Sequence, residues 1–255
     1  MTLSIVENSN YPIAFIINKS TNKKVDSVDN DENNLNGVNL FHIQNNHFFQ
    51  LVPDKKKERQ TLFIACESGA GKSFFIREYA KEYKKMFKNN PIYLISYLQH
   101  DETLDAYKEI QRINAFDDTK NEFLNDCMNI NLDEFKESFF IFDDIDSITD
   151  KKIKKTIYNF LYKLLRIGRH YNISVAYLGH ELYASYELKQ ILNESQTITF
   201  FPRFLNHKKL KYLLTEYFGL DKKQIENIKN IKDRAITYMK GNDKIILSSN
   251  TIFIL

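Results

Sequence analysis

The chain has 255 residues, 43% of them hydrophobic and 27% charged, which suits a folded α/β domain with extensions and excludes a disordered chain. A net charge of +3 excludes an overall basic field, so any nucleic-acid surface must be a local patch or arise by assembly. Cys66 and Cys127 are too few for a disulfide framework and point to a reducing compartment.

The first residues lack the basic-then-apolar pattern of a signal peptide. Apolar runs such as 13–17 and 139–142 fall far short of the roughly 20 residues a bilayer requires. The expectation is a soluble, intracellular protein without membrane insertion. Residues 20–39 are polar and turn-rich and read as a flexible loop between apolar runs at 11–17, 41–43 and 47–51. Asn45-Asn46 reads as a hairpin turn. Residues 1–55 thus form a small β-rich extension, and 56–255 the main domain.

The apolar run Thr61-Leu62-Phe63-Ile64-Ala65 leads into Cys66-Glu67-Ser68-Gly69-Ala70-Gly71-Lys72-Ser73, and an amphipathic run from Phe74 leads out. This is the strand–loop–helix context of a P-loop. Gly69 and Gly71 let backbone N–H groups face anionic oxygens, and the following helix adds its positive end. Glu67, Ser68, Gly69, Ala70, Gly71, Lys72, Ser73 and Phe74 are the candidate nucleotide-binding residues. Lys72 would reach the β- and γ-phosphates and the Ser73 hydroxyl would hold Mg2+. Cys66 stands where the first glycine of the motif is usually found.

Strand patterns follow at 91–97, 139–143, 173–178 and 197–201, with helices at 72–88, 150–171 and 187–194. The alternation predicts an α/β fold with a mostly parallel sheet flanked by helices. In the helix at 150–171, Ile153, Ile157, Phe160, Leu161, Leu164 and Leu165 make one apolar stripe, with Lys151, Lys152, Lys154 and Lys155 off it. A helix is expected at 104–113 within an irregular stretch, 104–137. After Pro202 come helices at 207–218 and 221–229, then short strands at 235–239, 244–247 and 251–255, with Gly241-Asn242 turning the first into the second.

Phe139-Phe140-Ile141-Phe142-Asp143-Asp144 is an apolar strand ending in two carboxylates, the form of a Walker B element. Asp143 is the candidate Mg2+ ligand with Ser73, and Asp144 the candidate general base, with Asp146 as the alternative. His180 follows the strand at 173–178, where a polar side chain can sense the γ-phosphate or its attacking water. Asn18-Lys19 lacks the Asp of a guanine-reading motif and precedes the P-loop, so ATP is the expected nucleotide.

The run Leu165-Arg166-Ile167-Gly168-Arg169-His170-Tyr171-Asn172-Ile173-Ser174 resembles the FtsK–HerA superfamily of DNA-pumping P-loop ATPases, whose fold is RecA/ASCE-like. So does Ile191-Leu192-Asn193-Glu194-Ser195 ahead of Thr197-Ile198-Thr199-Phe200-Phe201. Within the superfamily the sequence is similar to genome-packaging ATPases of large DNA viruses and virophages, over about residues 59–202. His180 stands where that family usually has Gln. The resemblance implies a homo-oligomeric ring, hexameric or pentameric, that threads double-stranded DNA by ATP hydrolysis and docks on capsid proteins. It also implies an arginine supplied in trans to the neighbouring site, with Arg169 as first candidate and Arg166 and Arg203 behind it. DNA would be held through phosphates, with Lys151, Lys152, Lys154 and Lys155 as contributors. A small-molecule or nucleoside kinase and a non-hydrolysing ATP-dependent assembly switch are the alternative functions.

Overall fold

The computed structural model describes residues 2–7, 9–31, 38–43, 46–113, 131–182, 186–241 and 243–255. Strands β1 (Thr2–Val6), β2 (Ala14–Asn18), β3 (Lys24–Asp31), β4 (Leu40–His42) and β5 (His47–Leu51) come first. Next are β6 (Thr61–Ala65), α1 (Lys72–Met86), β7 (Ile92–Ser96), the one-turn α2 (Glu102–Asp105) and β8 (Ile110–Arg112). Then follow β9 (Phe139–Asp143), α3 (Lys151–Ile167), β10 (Ser174–Gly179) and α4 (Tyr186–Glu194). The chain closes with β11 (Thr197–Phe200), α5 (His207–Tyr212), α6 (Lys222–Asn230), β12 (Ile236–Met239), β13 (Ile245–Ser248) and β14 (Thr251–Ile254). A π-helical turn, Leu213–Tyr217, continues α5.

The chain divides into two compact units, Glu58–Gln196 and the combination of Met1–Lys57 with Thr197–Leu255. In Glu58–Gln196 the strands among the described residues are all parallel, in the order β6-β10-β9-β7-β8. Burial on both faces explains why β6, β9 and β10 are fully buried and read as continuous apolar runs. Successive side chains of β9 alternate between the faces. Phe139 packs against Tyr79 and Tyr83 of α1, with ring centroids 6.1 and 4.8 Å apart. Phe140 and Phe142 pack against Phe160 of α3, at 5.5 and 6.2 Å. Asp143 therefore shares the α1 face with Phe139.

The other unit is antiparallel. One sheet has the order β1-β3-β2-β5, and a second run of strands has the order β4-β14-β13-β12-β11. A largely parallel sheet with helices on its faces and added β-rich regions is a P-loop NTPase-like architecture. Among the described residues no helix is long and apolar enough to cross a membrane.

Two expectations about local structure are corrected. The stretch 20–39, expected as loop, contains β3, which is paired on both sides, with β1 and with β2. Its polar composition hides a strand because the fit comes from its neighbours, with Val28 and Ser27 fully buried between them. The helix expected at 104–113 is instead the short α2 followed by β8, which pairs with β7. Arg112 ties this turn back, donating to Asp105 and to the Leu98 carbonyl. The expected turns at Asn45-Asn46 and Gly241-Asn242 include Asn45 and Asn242, which lie outside the described residues, as does all of 114–130 with Cys127.

Candidate functional site

The carboxyl ends of β6, β10, β9 and β7 lie level. Ala65 pairs with Gly179, Leu178 with Asp143, and Asp143 with Ser96. This register brings residues far apart in sequence to one edge of the sheet. Beyond β6, buried Cys66 donates its N–H to the Gly179 carbonyl at 3.1 Å, and Glu67, Ser68 and Gly69 emerge into solvent. Gly69 and Gly71 have φ of 77° and 108°, the left-handed region where a Cβ is strained. Gly71 is the N-cap of α1 and supplies no side-chain cap, which suits the helix start to an anion. Ala70 is buried behind the loop, while Phe74 in the first turn of α1 is exposed and carries the Arg77 guanidinium 4.9 Å over its ring.

Lys72 is 7% exposed. Its Nζ donates to the Cys66 carbonyl at 2.9 Å and lies 3.3 Å from His180 Nδ1. An ammonium only donates, so Nδ1 must accept and the ring proton sits on Nε2. Nε2 in turn lies 2.8 Å from Asp144 Oδ1. The approach is close but not aligned as a hydrogen bond, and Oδ1 is buried without a hydrogen-bond partner. Asp144 adopts φ 52°, a left-handed conformation uncommon outside glycine. Asp146 Oδ2 accepts the His180 N–H at 3.1 Å, and the Asp146 carbonyl accepts from Lys154 Nζ at 2.7 Å. Asp144, Asp146 and His180 each offer one ligand atom within 4.8 Å of the others, a potential cation-coordinating cluster.

Asp143 is 2% exposed, and its Oδ2 accepts from Ser96 Oγ at 3.4 Å. Burial, reinforced by the charges of Asp144 and Asp101, pushes its carboxyl up to about 7, against the pull of Lys72 and Ser96. Ser73 Oγ donates to Asp101 Oδ2 at 3.1 Å. A hydroxyl with several carboxylate oxygens is a donor set for a hard cation such as Mg2+. The glycine-formed cradle, uncapped helix start and buried ammonium fit a triphosphate.

The structure thus brings Lys72, Asp143, Asp144 and His180 together, while Ser73 meets Asp101, whose charge bears on Asp143. It does not bring Arg169 to them. Arg169 is exposed in the 3-10 turn Gly168–Tyr171, before the amino end of β10, whereas the site lies beyond the carboxyl end. Arg166 is exposed near the end of α3, and Arg203 donates to the Lys232 carbonyl at 2.6 Å. Lys151, Lys152 and Lys155 are exposed on the first turns of α3.

Sequence reasoning missed Asp101, Ser96 and Arg59. Arg59 donates to the Leu164 and Leu165 carbonyls at 2.8 and 2.6 Å, offsetting the negative end of α3. A Cβ on Gly168 would stand 3.1 Å from Arg59 Nη1, so that glycine serves this close packing. Asp101 followed by Glu102-Thr103-Leu104 is a legible helix start, but its reach to Ser73 depends on sheet register.

No protein-family model matches the chain. The uncharacterized protein V3 of Sputnik virophage is 35% identical over 194 residues, covering 75% of this chain and 76% of that protein. Among solved structures, the DNA-packaging ATPase B204 of Sulfolobus turreted icosahedral virus is 18% identical over 72% of this chain and 93% of that one, with a TM-score of 0.48. The pCW3 conjugation coupling protein TcpA is 12% identical over 97% and 87%, with a TM-score of 0.49.

Proposed function

The chain belongs to the family of the Sputnik virophage protein V3, and from this footing we propose that it is an ATP-hydrolysing translocase that moves double-stranded DNA into a viral capsid. The observation that carries the hydrolytic part is the convergence of Lys72, Asp143, Asp144 and His180 at the ends of neighbouring strands. The DNA-moving part is supported by the resemblance of Gly168-Arg169-His170-Tyr171-Asn172-Ile173-Ser174 to the FtsK–HerA motors.

Mg2+–ATP supplies the phosphoanhydride, whose terminal phosphoryl group passes to water. The protein's own residues do the rest. Residues 67–74 cradle the phosphates through backbone N–H groups, and Lys72 offsets their charge. Ser73 and Asp143 would hold the cation. Asp144, directly after Asp143 at the end of β9, takes the proton of the attacking water. His180, anchored through its N–H by Asp146, sets the water's position against Asp144. Asp146 thereby commits Oδ2 to holding His180, while its Oδ1, like Asp144 Oδ1, is buried without a hydrogen-bond partner. Arg169 acts in trans on the site of a neighbouring subunit in a ring. Exposed Lys151, Lys152 and Lys155 contact DNA phosphates.

Steady-state ATP hydrolysis with and without duplex DNA tests the proposal. Turnover stimulated by DNA is the expected result. Phosphate transfer to a small acceptor would make the protein a kinase, and tight ATP binding without turnover an assembly switch.

A further inference from the structure

We propose that Asp101 is a positioning residue of the cation site, holding the Ser73 hydroxyl by its proton so that the oxygen lone pairs face the metal. This rests on the Mg2+–nucleotide reading above.

A hydroxyl has one proton and two lone pairs. Ser73 commits its proton to Asp101 Oδ2 at 3.1 Å, which leaves the lone pairs for a hard cation. Asp143, the carboxylate expected to share that cation, takes its hydrogen bond from Ser96 instead.

Asp101 is fixed independently of Ser73. Its Oδ1 accepts the N–H groups of Thr103 and Leu104, both at 2.8 Å, and caps α2. Its own N–H donates to Asp105 Oδ2 at 2.8 Å. Asp105 is gripped by Arg112, with Nη2 at 2.7 Å and Nε at 3.1 Å, and Arg112 Nη1 donates to the Leu98 carbonyl at 2.7 Å. The two oxygens of Asp101 therefore divide their work. A cap needs only one acceptor, which serine also supplies. The second oxygen and the negative charge are surplus to the cap, and both are directed at Ser73.

The two functions separate by substitution in the full chain. Asp101→Ser keeps a capping oxygen but is too short to reach Ser73, and Asp101→Asn keeps the volume while removing the charge. Mn2+ affinity in the presence of ADP, read by electron paramagnetic resonance, should fall about 10- to 100-fold in both. ADP affinity measured with a chelator should not fall in step. Wild-type Mn2+ affinity in either variant overturns the proposal. So does a parallel loss of metal-free ADP affinity, which marks Asp101 as a cap alone. Wild-type protein that takes up no Mn2+ with ADP removes the Mg2+–nucleotide reading itself, a distinct result.

Discussion

His180 Nε2 lies 2.8 Å from Asp144 Oδ1, joining residues that follow two neighbouring strands, β10 and β9. Through Nδ1 the same ring meets Lys72, 3.3 Å away. One imidazole thus spans the distance between the buried ammonium of Lys72 and the carboxylate proposed as the base. Its tautomer is set by Lys72, which can only donate.

Lys72→Ala removes the buried ammonium from the cradle. Each hydrogen bond to a charged group contributes about 1.5–3 kcal/mol, so ATP affinity should fall by at least about 10-fold. Titration calorimetry with ATP and Mg2+ checks this, and unchanged affinity removes the cradle assignment.

Asp144→Asn keeps the shape beside His180 but cannot take a proton. ATP binding should persist while turnover falls about 10²–10⁴-fold. Single-turnover hydrolysis at saturating ATP is the measurement. Turnover at the wild-type rate would refute the base assignment.

Asp143 gives the metal-free protein a pH dependence. Burial, with Asp144 and Asp101 nearby, raises its carboxyl to about 7 in the folded state. In the unfolded chain it titrates at about 3.9. Between these values the folded state holds a proton that the unfolded state has lost. Stability therefore falls as pH rises through this window, by at most about 1.4 kcal/mol per unit from this group. Denaturant unfolding with chelator at several pH values tests the slope, which Asp143→Asn should flatten. Mg2+ needs the ionised carboxylate, so its affinity should rise across the same window.

Arg59→Ala and Arg169→Ala should separate fold from function. Loss of Arg59 strips two hydrogen bonds from the carboxyl end of α3 and should cost about 1.5–3 kcal/mol in denaturant unfolding. Exposed Arg169 should cost little stability. Its loss should lower turnover about 10³-fold or more if it acts in trans. Mixing Arg169→Ala with Asp144→Asn subunits should then restore activity, and failure of that complementation removes the trans role.

The strand–loop–helix at 61–86 was legible because everything that makes it is local: a buried run, glycines at two left-handed positions, and a lysine opening a helix. The strand Phe139–Asp143 was legible for the same reason, since four consecutive apolar side chains ahead of Asp143 fit one parallel strand buried on both faces. β3 was not, because Lys24–Asp31 is held by partners on both sides rather than by its own apolar pattern. Nor was the turn from α2 to β8, whose course depends on the long reach of Arg112. The likeness in Gly168-Arg169 was readable as a motif, but its close packing on Arg59 was not.

By itself the sequence determined the candidate groups for phosphate, cation and water, because side-chain chemistry and backbone freedom are properties of single residues and short spacings. Only the tertiary structure decided which of them meet. Sheet register sets Asp143 beside Ser96 and level with the end of the P-loop strand. It brings His180 between Lys72 and Asp144, turns Asp101 onto Ser73, and leaves Arg169 at the far end of its strand. Register is fixed by hydrogen bonds between segments distant along the chain, and no local pattern specifies it.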